Sequence, residues 1–120
     1  MNIGAVGKSG EDRVAALLVK KGYKIVKRNY QCRFGEIDII AQKGEYIIFV
    51  EVKTRKKDSL FFPREAVNLK KQERIMLTAN DFIAKTFCEL CPRFDVAEVI
   101  IEENSDKTLK YHLNYIKNAF

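Results

Sequence analysis

The chain has no tryptophan, one histidine, two prolines and three cysteines among 120 residues. An odd number of cysteines, in a chain with this much core and no export signal, argues against a disulfide framework, and the thiols are expected to be reduced. Cys88 and Cys91 form a CxxC, but structural zinc is closed by four ligands, and only Cys32 and His112 could complete the set. Packing at a helix-to-strand junction, with Pro92 next to Cys91, is the simpler expectation. Long apolar runs are also missing. Tyr46 to Val50 is far too short to span a bilayer, and Met1 to Gly10 lacks the hydrophobic segment of a signal peptide, so a cytoplasmic protein without a membrane partner is expected. With no linker, no repeat and 47% hydrophobic content, residues 1–120 should form a single domain with one core.

What the chain has in excess is positive charge. The net charge is +6 and the isoelectric point near 9.3. The basic residues cluster at Lys20-Lys21, Lys27-Arg28, Arg33, Lys53 to Lys57, and Lys70-Lys71 with Arg74. Such a distribution suits an anionic partner, nucleic acid first, because phosphate contacts supply affinity without reading sequence. A solvated basic surface would have the same composition. Position favours binding: the run Lys53-Thr54-Arg55-Lys56-Lys57 continues directly out of a strand that carries a carboxylate.

The periodicity predicts seven elements in the order α-β-β-β-α-β-β. Ser9 reads as an N-cap, with Asp12 three residues on, opening a helix to about Lys21 with Val14, Leu17 and Leu18 as its stripe. Gly22 ends it. Strands are expected over Tyr23 to Tyr30, Glu36 to Ala41 and Tyr46 to Thr54. Pro63 suits the first turn of a second helix running from Glu65 to about Phe87, with Met76, Ala79, Ile83 and Phe87 on one stripe. Phe94 to Ile101 and Leu109 to Tyr115 read as the last strands. Gly4-Ala5-Val6-Gly7-Lys8-Ser9 imitates a phosphate-binding loop, but Asn2 stands where that motif needs glycine and no strand precedes it. These glycines are expected to form a flexible entry to the first helix.

Asp38 and Glu51-Val52-Lys53 interrupt two apolar, β-branched runs, where charge seldom serves stability. A two-residue turn at Lys43-Gly44 would pair Asp38 with Phe49 and leave Glu51 diagonal to Asp38, roughly 7–8 Å away, with Lys53 on the same face. Glu36 would lie opposite Glu51. An odd-length turn would reverse the parity. Two converging carboxylates and a lysine are the residue types that a magnesium-dependent phosphodiesterase needs.

The combination of Gly10-Glu11 opening a helix, Gly22-Tyr23, Arg33 with Gly35-Glu36-Ile37-Asp38-Ile39-Ile40-Ala41, Phe49-Val50-Glu51-Val52-Lys53-Thr54-Arg55, Pro63 with Glu65, Lys70, Arg93-Phe94-Asp95-Val96 and Asn118-Ala119-Phe120 resembles the bacterial YraN-like family, uncharacterised protein family 0102. That family in turn resembles restriction-endonuclease-like nucleases, archaeal Holliday junction resolvases in particular. The resemblance implies an α/β fold, a mixed central sheet flanked by helices, and a metal-dependent endonuclease of the PD-(D/E)xK type. A nucleic-acid-binding protein with little cleavage of its own is the alternative. The resemblance puts Mg2+, with Mn2+ able to replace it, on Asp38, Glu51 and the carbonyl of Val52, and makes Lys53 the assistant of the attacking water. It adds Glu11 to the catalytic set, with a stabilising acid at a helix N-terminus as its other reading. Glu36 would support the site from behind, and Arg33, Arg55, Lys56, Lys57, Lys70 and Arg74 would hold nucleic acid, DNA above all. Asp95 is expected to pair with an arginine inside the fold. A homodimer is implied by the analogy with resolvases. Ile37 stands where the superfamily motif has proline, a departure that removes no ligand.

Overall fold

A computed structural model describes residues 3–58 and 67–120. The elements are α1 (Ile3–Lys20), β1 (Lys24–Cys32), β2 (Gly35–Lys43), β3 (Tyr46–Lys56), α2 (Leu69–Thr86), β4 (Cys91–Glu103) and β5 (Leu109–Ile116). Their order is the expected α-β-β-β-α-β-β. The strands form one sheet in chain order, antiparallel except between β3 and β4, which are parallel and joined through α2. The protein is thus an α/β fold with a mixed five-stranded sheet and a helix on each face, in agreement with a restriction-endonuclease-like core. Among the described residues, no helix is long and apolar enough to cross a membrane.

β3 shows why the sheet can carry a helix on both sides. Ile48 and Val50 point into a cluster with Val14, Ala15 and Leu18 of α1, while Ile47 and Phe49 point into a second cluster with Ile75, Ala79 and Phe82 of α2. Alternation is the ordinary property of a strand, and here both faces are apolar because both are covered. On the α1 side, Gly10 sets the helix close to the sheet. A Cβ there would lie 3.0 Å from Thr54 Oγ1 and 3.3 Å from Val99 Cγ1.

Several sequence expectations are corrected. α1 begins at Ile3, so Ser9 is inside the helix and is not its cap; its hydroxyl lies 3.4 Å from the Tyr111 hydroxyl. Gly4 and Gly7 are helical, not a flexible entry. Pro63 and Glu65 lie outside the described residues. α2 is capped by Asn68, whose side chain accepts from the Lys71 N–H at 3.0 Å. The buried stripe of α2 is Ile75, Thr78, Ala79 and Phe82; Met76 is partly exposed, and Phe87 is 88% exposed as the left-handed C-cap. Apolar residues at adjacent positions (75 and 76, 82 and 83) allow two stripes, and contact with the sheet selects one. Pro92 lies within β4, where that strand pairs with β3 alone and β5 has not yet joined, so its missing N–H breaks no ladder bond.

The β2–β3 turn is Gly44-Glu45, not Lys43-Gly44, because Lys43 pairs with Tyr46. Gly44, at φ +57, supplies the positive φ that the first central position of a tight hairpin turn requires. The loop still has an even length, which preserves parity.

Candidate active site

Asp38 sits where the sheet changes character. The β2–β3 ladder ends at Ile39↔Val50, yet β2 continues to Gly35 on β1 and β3 continues to Lys56 on β4. The two strands therefore part at Asp38. The Asp38 carboxylate replaces the lost ladder partner: its Oδ2 accepts the Val52 N–H at 2.7 Å. Alternation breaks at the same place. Ile39 belongs to the α1-side cluster but Ile37 to the α2-side cluster, and on β1 Arg28 reaches α1 while Tyr30 packs edge-on against Phe82 of α2. Residues two apart on a regular strand share a face. The interruption lies at Asn29, with φ 52, and at Asp38 across from it.

The splayed strands open a cleft of about 510 Å³ lined by Gly35, Glu36, Asp38, Glu51, Asn68, Lys70, Lys71, Arg74 and Ile75. Asp38 and Glu51 therefore converge, as expected, but through splaying rather than through a diagonal in a continuous ladder. Glu36 is not opposite Glu51. It pairs with Gln31 on β1 and reaches the cleft from its rim. The other wall is the first turn of α2. Helix N-termini favour negative charge, yet this one carries Lys70 and Lys71 and no acid. Lysines placed against the helix dipole are poorly suited to stability and well suited to an anion entering the cleft.

Glu51 Oε1 is held by two ammonium groups, Lys53 Nζ at 3.1 Å and Lys71 Nζ at 3.0 Å, with the Glu51 side chain only 9% exposed. Burial first and the neighbouring Glu51 charge second raise the Asp38 carboxyl to about 7, with smaller effects of Glu11 and Glu36; the Val52 N–H acts in the opposite direction. Burial lowers Lys53, and the facing Lys71 adds to this. For Lys71 burial also opposes the charge, but its contacts with Lys53 and Glu51 outweigh it and the net direction is upward. Lys71 was the residue missed in sequence. Lys70 and Arg74 were singled out as one turn apart, and Lys71 is as well placed by helical spacing. Spacing does not show which of the three would reach across to Glu51.

The remaining candidates lie elsewhere. Glu11, in the middle of α1 and not at its N-terminus, receives Arg28 Nη2 at 3.0 Å, and Asp12 receives the same nitrogen at 2.6 Å. Arg33 is on the β1–β2 turn, its guanidinium over the Phe34 ring at 4.7 Å. Arg55 is bound to Glu98 at 2.9 Å and Lys57 to Glu102 at 3.2 Å, both acids on β4, while Lys56 ends β3. The N–H of Val52 is engaged by Asp38. Asp95 is fully buried and takes Arg93 through both oxygens, at 3.0 and 2.8 Å, together with the Tyr115 hydroxyl and the Asn118 N–H. It is a structural centre, as its pairing with an arginine suggested. Cys88 packs against the α2-side cluster, and Cys91 is exposed at the start of β4.

Residues 10–99 match the family model described as "Uncharacterised protein family UPF0102". A UPF0102 protein of Alkaliphilus metalliredigens is 49% identical over 117 residues, covering 97% of each chain. Another, of Caldicellulosiruptor bescii, is 44% identical over 122 residues and covers both chains completely. A third, of Clostridium acetobutylicum, is 45% identical over 115 residues, 95% of this chain and 92% of its own. With the family model covering most of the chain and these relatives aligned almost end to end, the protein belongs to the uncharacterised protein family UPF0102.

Proposed function

We propose that this protein is a metal-dependent nuclease that hydrolyses phosphodiester bonds of nucleic acid, with DNA as substrate and internal cleavage as its mode, on branched or repair and recombination structures. The observation that carries this reading is the convergence of Asp38 and Glu51, the latter bound by Lys53, in a cleft whose facing wall is a lysine-bearing helix N-terminus. The donor set fits magnesium, which prefers oxygen ligands and keeps several of its waters, so two carboxylates and a main-chain carbonyl such as that of Val52 suffice. Manganese would be accepted by the same donors. Asp38 and Glu51 repel each other, as the raised Asp38 carboxyl reflects, and a divalent ion between them would relieve that repulsion.

When bound, the ion would polarise the phosphate and lower the pKa of a coordinated water. The chain's own groups do the rest. Lys53, held against Glu51, orients the attacking water or offsets charge developing on the phosphate. Lys70 and Arg74 draw the backbone of the nucleic acid into the cleft, and the N-terminal turn of α2 adds its dipole. Glu36 supports the site from the rim. Glu11 acts through water from its place beside Arg28. Arg33, Arg55, Lys56 and Lys57 extend the contact beyond the cleft, Arg55 and Lys57 after leaving Glu98 and Glu102. A homodimer acting in the cytoplasm suits the cutting of two strands.

One observation favours the second reading, a binding protein with little cleavage. Glu51 Oε1 is already balanced by Lys53 and Lys71, an arrangement that suits anion binding without metal. Purified protein should be incubated with fluorescent duplex, single-stranded, flap and four-way-junction DNA, in magnesium, manganese or chelator, beside Asp38→Ala and Lys53→Ala. Cleavage that needs the metal and both residues is the expected result. Cleavage surviving both substitutions would sink the proposed site, and salt-sensitive binding without cleavage would establish the second reading.

A further inference from the structure

Two lysine nitrogens on one carboxylate oxygen are a heavy load. A carboxylate oxygen offers about two lone-pair directions, and on Glu51 Oε1 both are taken, by Lys53 and by Lys71. A cation arriving at Oε1, the oxygen both lysines hold, therefore meets an ammonium already in its place. Lys53 is poorly able to leave, since it rises from the same strand two residues on and its side chain is only 20% exposed. Lys71 comes from the opposite wall, is 37% exposed, and has Lys70 and Arg74 beside it along the cleft.

We propose that Lys71 is an exchangeable stand-in for the divalent ion, closing Glu51 in the metal-free protein and passing to a phosphate oxygen of the nucleic acid once the ion takes the carboxylate. The inference rests on the metal-dependent reading of the cleft and deepens it. One side chain then couples two ligands, because a phosphate that draws Lys71 away opens Glu51 to the ion, and an ion on Glu51 frees Lys71 for phosphate. By linkage each ligand strengthens the other to the same degree. The price of the latch is a weaker apparent metal affinity, reduced by the fraction of molecules in which Glu51 is open.

The test is Mn2+ titration by calorimetry, without nucleic acid, on wild type, Lys71→Met, Lys71→Arg and Glu51→Gln. Lys71→Met should bind Mn2+ roughly tenfold more tightly than wild type. Lys71→Arg should stay near wild type and Glu51→Gln should lose binding. Duplex affinity measured by anisotropy should rise when Ca2+ replaces chelator, and that gain should shrink in Lys71→Met. If Lys71→Met does not fold by circular dichroism, Lys71→Gln takes its place with the same expectation. Mn2+ affinity unchanged or weakened in the variant overturns the latch alone. No Mn2+ binding by wild type or variant overturns the metal-dependent reading and the latch with it.

Discussion

Asp38 is subject to two demands that pull in opposite directions. Accepting the Val52 N–H favours its charged form, whereas burial beside Glu51 favours the neutral one. Its folded-state carboxyl is raised from the ordinary 3.8 to about 7, so the folded protein holds a proton that the unfolded chain has already released over that interval. The stability linked to this proton is complete below about pH 4 and is lost as pH rises through about 7. In chelator, the melting temperature should fall across that window through this contribution, and Asp38→Asn should flatten it. Magnesium or manganese should restore stability more strongly at pH 8 than at pH 5, because the ion needs the deprotonated carboxylate. A metal effect independent of pH would contradict this assignment. Asp95 is the structural counterpart: buried, bidentate to Arg93, and joined to the Tyr115 hydroxyl and the Asn118 N–H. Asp95→Ala strands a buried guanidinium and should cost about 3–5 kcal/mol in urea unfolding, with metal affinity little changed in the folded fraction.

At the level of elements, two close approaches set the helices against the sheet. α1 rests on the sheet at Gly10, and the β1–β2 hairpin meets α2 at Gly35, whose φ is +152 and whose added Cβ would lie 3.3 Å from Thr78 Oγ1. Gly35→Ala should destabilise the fold by about 1–3 kcal/mol through backbone strain. Because Gly35 also lines the cleft, nucleic-acid affinity should fall along with the melting temperature. The cap at Asn68 gives a milder test. Its side chain holds the Lys71 N–H, so Asn68→Ala should cost about 1 kcal/mol and loosen the turn that presents Lys70 and Lys71. An Asn68→Ala protein with wild-type stability and wild-type binding would show that this turn does not organise the basic wall.

For the molecule as a whole, the +6 charge matters less than its arrangement. Arg55 and Lys57 are neutralised by Glu98 and Glu102 on the neighbouring strand, whereas Lys70 and Arg74 line the cleft. Lys70→Ala and Arg74→Ala should each reduce the slope of log affinity against log salt by about 1. Arg55→Ala should alter that slope less. Equal slopes for all three would mean that the basic surface binds as an undirected field.

The order of elements and the charges set within β-branched runs around Asp38 and Glu51 were legible in the chain, because apolar runs and turn residues are local properties. So was the parity of the β2–β3 hairpin, which depends only on an even loop length. The turn expected at Lys43-Gly44 was off by one position because glycine can supply a positive φ at either central position, and the sheet register decides between them. The face of α2 stayed ambiguous until the sheet selected Ile75, Thr78, Ala79 and Phe82. By itself, the sequence determined that two carboxylates and a lysine share a neighbourhood on adjoining strands. Only the tertiary structure decided that β2 and β3 part at Asp38, that the freed Val52 N–H goes to its carboxylate, and that Lys71 crosses from α2 to Glu51. Those contacts depend on where a helix packs after a crossover, and neither periodicity nor spacing along the chain carries that information.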